Sequence, residues 1–88
     1  MPEIETTDRF EEAYCKLPLQ IRKKVMKALR LLAENPRHPS LQTKSIQRLS
    51  GIYEARVDQS YRMTYERRPG DVVRMRTVGK HDEALKKP

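Results

Sequence analysis

Arg56, Arg62, Arg74 and Arg76 lie in "GIYEARVDQSYRMTYERRPGDVVRMRTVGKH", residues 51–81, at the positions an alternating apolar pattern turns away from a core. Tyr53, Ala55 and Val57 alternate with Glu54 and Arg56. Tyr61, Met63 and Tyr65 alternate with Arg62, Thr64 and Glu66, so each run reads as a strand with one apolar face. With Asp58, Gln59 and Ser60 as a hairpin loop, Val57 pairs with Tyr61 and Arg56 stands directly across from Arg62. Like charges opposed across a sheet cost up to about 1 kcal/mol, so such a cluster is either neutralised by neighbours or kept for an anion. Glu54 and Glu66 are the carboxylates in reach, and Glu66 is placed to answer Arg74. Arg56, Arg62 and Arg76 are left for solvent or for a phosphate.

The next stretch is "VGKHDEALKK". Gly79 frees the backbone to turn past the strand, which brings Lys80 and His81 to the rim of the basic face. Histidine, with an ordinary pKa of about 6.5, suits proton transfer near neutrality, and neighbouring arginines favour its neutral, base-competent form. His38, between Pro36 and Pro39, reads as a turn residue. The rest of the chain assembles no carboxylate pair, no Ser/His/Asp set, no glycine-rich phosphate loop and no zinc spacing. The chemistry open to it is acid/base and electrostatic work on phosphate, without cofactor or metal.

These residues need a frame. The third strand, Val72 to Val78, must turn Val73, Met75 and Thr77 toward the face of Met63 and Tyr65, because a slip of one residue would bury arginines. "EIETT" gives a short first strand centred on Ile4. Asp8 with Glu11 reads as a capping box opening a helix that carries Phe10, Ala13, Tyr14 and Leu17. Pro18, in the first turn, starts a second helix whose stripe is Ile21, Val25, Ala28, Leu29 and Leu32, with Lys23, Lys27, Arg30 and Glu34 opposite. Residues 36–50 form a long polar connection containing Lys44 and Arg48, and Asp82 and Glu83 fill the first turn of a short C-terminal helix. The expected architecture is α+β and a single domain over residues 1–88: two N-terminal helices on one face of a small twisted antiparallel sheet, the other face open.

Only 36% of the 88 residues are hydrophobic and 35% are charged, which implies a thin core, and the net charge of +7 suits a polyanionic partner. Nucleic acid, ribosome, acidic protein and membrane surface all remain open on charge alone. Cys15 stands alone, so no intrachain disulfide forms, and no apolar stretch approaches the roughly 20 residues of a bilayer span. A cytoplasmic protein without membrane association is expected.

"NPRHPSLQTKSIQRLSGIYEARVDQSYRMTYE" followed by "VGKHDEAL" resembles the RelE/ParE toxin superfamily over nearly the whole chain. Its paired helices, the Leu-Ser-Gly step into the sheet, the "YEARV…SYRMTY" hairpin and the last strand running into "VGxH" occur in the family's order. The resemblance implies a toxin of a toxin–antitoxin system, in the RelE-like and YafQ-like branch a ribosome-dependent, metal-free endoribonuclease that cleaves mRNA, with an acidic antitoxin as partner. The family's strand arginine matches Arg62, and its histidine after "VG" matches His81; these would be the catalytic pair. Lys44, Arg48, Arg56, Arg76 and Lys80 would hold RNA backbone. Where many members carry Tyr or Phe shortly after the equivalent of His81, this chain has Ala84 and Leu85. Two other functions fit the same resemblance: a ParE-like DNA gyrase inhibitor without nuclease activity, and a non-catalytic RelE-like RNA- or protein-binding module. The "VGKH" end favours the nuclease.

Overall fold

The computed structural model describes residues 1–88, in the order β1 (Glu3–Glu5), α1 (Asp8–Cys15), α2 (Leu19–Glu34), a 3₁₀ turn (Pro39–Leu41), β2 (Lys44–Ser45), β3 (Ile52–Arg56), β4 (Tyr61–Arg68), β5 (Val72–Lys80) and α3 (His81–Lys86). One five-stranded sheet runs β1-β5-β4-β3-β2. The alternation of "YEAR" and "YRMTYE" dictates the central hairpin, where Tyr53 pairs with Tyr65, Ala55 with Met63 and Arg56 with Arg62. The sheet is not wholly antiparallel. β1 lies parallel to β5, with Ile4 opposite Val73, and the long excursion through both helices supplies the crossover that parallel strands require.

The helices cover one face. Phe10 of α1 and Val25, Ala28 and Leu32 of α2 join Leu41, Ala55, Met63, Tyr65, Val73, Met75 and Val78 in one buried cluster. Lys23, Lys27, Arg30 and Glu34 point to solvent, as the helical stripe requires. Both helix starts fall one residue from the expected position. Thr7, not Asp8, caps α1: its Oγ1 accepts from the Phe10 amide at 3.1 Å and donates to the Met75 carbonyl at 3.0 Å, tying α1 to β5. Pro18 is the N-cap of α2 rather than a first-turn residue.

A bulge corrects the third strand. Thr64 pairs with Thr77 but Tyr65 pairs with Met75, leaving Arg76 as the extra residue. The core face of β5 is therefore Val73, Met75 and Val78, and Thr77 turns to the second face. Placing a valine where strict alternation would place a threonine spares the core a hydroxyl in need of a partner.

That second face is not open. α3 and the residues after it lie across β4 and β5, burying Ala84, Thr64 and Thr77. Thr64 Oγ1 donates to the Pro88 carbonyl at 3.2 Å. No helix is long and apolar enough to cross a membrane.

Candidate functional site

The hairpin end of the sheet is rigid by local chemistry. Asp58 Oδ1 accepts from the amides of Ser60 and Tyr61, each at 2.8 Å, and Lys24 of α2 reaches Oδ2 at 3.2 Å. Partial burial works against the Asp58 charge, but those two amides and Lys24 outweigh it and hold the carboxyl below its ordinary range. Arg56 and Arg62 face each other beneath this loop, as the alternation requires.

Arg62 is half-buried and folds back over the loop. Its Nη1 donates to the carbonyls of Asp58, Tyr61 (3.0 Å) and Gln59 (3.4 Å), while Nε and Nη2 keep no protein acceptor. Across the other strand Arg62 faces Gly79, whose missing side chain leaves space beside it; a Cβ there would meet only Glu83 Oε2, at 3.9 Å. Gly79 remains in the strand, and the chain turns at Lys80, the N-cap of α3. The His81 amide donates to the Ser60 carbonyl at 2.7 Å, which pins the start of α3 to the hairpin loop. The His81 ring is 49% exposed, with Nδ1 3.2 Å from Asp82 Oδ1. Arg56, Arg62, Lys80 and His81 thus gather at one end of the sheet, one imidazole and three cations, with the Asp58 carboxylate engaged by its own loop and Lys24, Asp82 beside the His81 ring and Glu83 Oε2 near Gly79.

The other expected anion-binding residues lie elsewhere and have partners. Lys44 sits on the edge strand with its Nζ 3.1 Å from Glu54 Oε1. Glu54 itself is only 4% exposed, and its second oxygen, Oε2, has no partner. Arg48 donates to the carbonyls of Leu85 and Lys86. Arg76, which alternation left for solvent, donates from Nε to the Pro88 carbonyl at 2.9 Å, with Glu66 Oε2 3.8 Å from Nη1. Arg9 adds contacts to the carbonyls of Lys87 and Pro88. Three arginines and Thr64 therefore fasten residues 85–88 over the sheet. Arg74 pairs with Glu66, as expected, and also with Glu5 at 2.7 Å, because the parallel register sets Glu5 beside it.

Sequence reasoning placed Thr64 on this face but missed its bond to Pro88, and missed Arg9 altogether. Their signal was weak, since both act through backbone carbonyls that any sequence would offer. The buried Glu54 had a better one: a carboxylate flanked by strand residues on a face that the apolar Ala84 could cover.

Paired helices against a five-stranded sheet, with a basic hairpin meeting the start of a terminal helix, define a toxin of the RelE/ParE superfamily. The chain belongs to the ParE toxin family of type II toxin–antitoxin systems (parDE), whose sequence model matches residues 4–85. Among solved structures, the RelBE2 toxin–antitoxin complex of Mycobacterium tuberculosis is similar with a TM-score of 0.76 at 25% identity, covering 92% of this chain and 100% of that one. YafQ of Escherichia coli is similar at 0.72 and 20%, covering 94% and 97%. The archaeal RelE–RelB complex of Pyrococcus horikoshii is similar at 0.75 and 16%, covering 94% and 98%. No curated protein sequence matches significantly.

Proposed function

We propose that this toxin is a ribosome-dependent endoribonuclease that cleaves mRNA by metal-free transesterification at the hairpin end of the sheet. The observation that carries this reading is the backbone tie between His81 and Ser60, which fixes an accessible imidazole at the loop from which Arg62 and Arg56 emerge. His81 takes the proton of an RNA 2′-hydroxyl, and the oxygen attacks the adjacent phosphorus. The bond from phosphorus to the 5′-oxygen breaks, leaving a 2′,3′-cyclic phosphate, and the imidazolium returns its proton to the departing 5′-oxygen. Arg62, through its free Nε and Nη2, and Arg56 stabilise the charge that builds on the phosphate. Lys80 and Lys44 are the exposed cations beside the strand's path. Arg48 and Arg76 contribute by holding residues 85–88, and reach RNA only when that segment leaves them.

An acidic antitoxin is the expected protein partner. The relatives from M. tuberculosis and P. horikoshii were solved as toxin–antitoxin complexes, and the net charge of +7 would be offset by such a chain. The match to the ParE family favours a second reading, inhibition of DNA gyrase without RNA cleavage.

One pair of assays separates the two. Purified ribosomes programmed with mRNA, scored for cuts in the A site, should be cleaved by the unmodified chain. His81→Ala should lower the rate by about 10²–10⁴-fold, the usual contribution of a positioned acid or base, with ribosome affinity retained. Absence of cleavage together with blocked gyrase supercoiling would overturn the nuclease reading in favour of the inhibitor.

A further inference from the structure

Among the exposed arginines that the site above does not use, Arg37 and Arg67 lie together. The side-chain ion pairs of the fold engage Lys24, Lys44, Arg74, Arg76 and His81, and neither Arg37 nor Arg67 is among them. They lie far apart in sequence yet line the same open pocket of about 420 Å³, together with Pro36, Thr43, Tyr53 and Tyr65. Lys44 borders it from the edge strand, with its ammonium held by Glu54 on the other face. By register, Tyr53, Tyr65 and Arg67 share the helix-covered face of the sheet, whereas Arg56 and Arg62 belong to the other. This pocket is therefore distinct from the His81 end.

Its walls are fixed. Asn35 Oδ1 accepts from the Arg37 amide at 3.0 Å, and Thr43 Oγ1 donates to the Pro36 carbonyl at 3.1 Å, so the loop carrying Arg37 is braced at both ends. Tyr53 stacks on the buried Tyr65 with centroids 5.5 Å apart and planes 18° from parallel. Tyr53 stays half-buried beside the two arginines. A rigid aromatic edge next to two unpaired guanidiniums matches a nucleotide, with phosphate between the arginines and sugar or base against the ring. Acids are near as well: Glu34 and Asp71 line the adjoining cleft that Arg37 and Arg67 also border. Neither comes within salt-bridge distance of those arginines, so the charge in the pocket stays available.

We propose that Arg37 and Arg67, flanked by Tyr53, form a second binding site for the phosphodiester backbone of an RNA strand. This rests on the reading of the chain as an RNA-directed toxin and adds a grip separate from the cleaving end. Such a division suits a chain with no Tyr or Phe immediately after His81, since strand affinity then comes from elsewhere.

The test uses the whole chain and a fluorescein-labelled 12-nucleotide RNA with 2′-O-methyl sugars, which cannot be cleaved, titrated at several salt concentrations. Each phosphate neutralised on a single strand contributes about 0.7 to the slope of log affinity against log salt. Removing two contacts in Arg37→Gln/Arg67→Gln should therefore lower the slope by about 1.4, and affinity at 0.1 M salt by about 25-fold. Lys23→Gln/Arg30→Gln removes the same charge from the solvent side of α2 and should change affinity by less than about threefold. Thermal melts of both variants should match the parent, because none of the four side chains pairs with another.

Equal losses in the two double variants, unchanged binding by Arg37→Gln/Arg67→Gln, or no binding of the RNA at 0.1 M salt would each overturn the proposal. A 12-residue oligoglutamate that binds more tightly than the RNA, and is weakened by the same variant, would reassign the pocket to an acidic protein segment. Ribosome-dependent cleavage is scored separately. Its persistence alongside failed RNA binding would overturn this site while leaving the nuclease reading standing.

Discussion

Glu54→Met should make this protein more stable. The carboxylate is 4% exposed; Oε1 meets Lys44 at 3.1 Å and Oε2 meets nothing. A buried polar atom without a partner costs about 1–3 kcal/mol, and more when it is charged. Against this stands one ion pair to a lysine whose side chain is 73% exposed, a geometry worth about 0.2–1 kcal/mol after solvent screening. Losing its partner costs Lys44 little, because its ammonium returns to water. Methionine is close to glutamate in length and bends to fill irregular space, so no large cavity follows. The net gain is about 1–2 kcal/mol, and at about 4–8 °C per kcal/mol for a domain of this size the melting temperature should rise by about 4–16 °C. Melts followed by circular dichroism, with urea titrations for the free energy, make the measurement. A variant that melts at or below the parent would refute the reasoning, since it would mean that the fold already satisfies Oε2. The same substitution removes a negative charge beneath the basic face, so affinity for RNA should rise or hold.

Arg62→Gln should cost about 1 kcal/mol of stability, because the loss of carbonyl bonds at the hairpin outweighs the relief of repulsion across the pair with Arg56. Cleavage on the ribosome should fall by about 10²–10³-fold, measured on the same sample at a temperature where it is fully folded; unchanged cleavage would remove Arg62 from the chemistry. Asp58 supplies a pH signature. Its carboxyl is held below the ordinary value of 3.8, so its stabilising charge is present in full above that value and is lost as pH falls through the lower folded value. The melting temperature of the parent should exceed that of Asp58→Asn by a constant margin from neutrality down to about pH 4, then converge with it. A margin independent of pH would show that the side-chain oxygen matters and its charge does not.

Strand faces were legible because alternation is a property of side chains. The pairing of Arg56 with Arg62 follows from where tyrosine, alanine and methionine sit, and the stripe of α2 from the same logic at helical period. Three features were not legible, each for a physical reason. β2 is a two-residue strand, Lys44–Ser45, too short to show any period. The bulge at Arg76 inserts one residue, and no local residue type announces it; only the preference for turning Val78 rather than Thr77 into the apolar core reveals which register prevails. Residues 85–88 are held mainly through their carbonyls, which carry no sequence information at all.

That last feature also bears on why so many arginines share one face. Arg48 spends hydrogen bonds on the carbonyls of Leu85 and Lys86, and Arg62 does the same with those of its own hairpin loop. A carbonyl satisfies a guanidinium donor but brings no opposite charge. Pairing these arginines with carboxylates would have stabilised the fold comparably and removed the positive field in the process. Carbonyl partners hold the side chains in place and leave the field intact. Arg74 is the contrasting case, fastened by Glu5 and Glu66 and so electrically quiet. The fold thus neutralises Arg74 with two carboxylates, answers Arg76 in part through Glu66, and keeps the charge of Arg62 at the hairpin, the end where His81 meets Ser60.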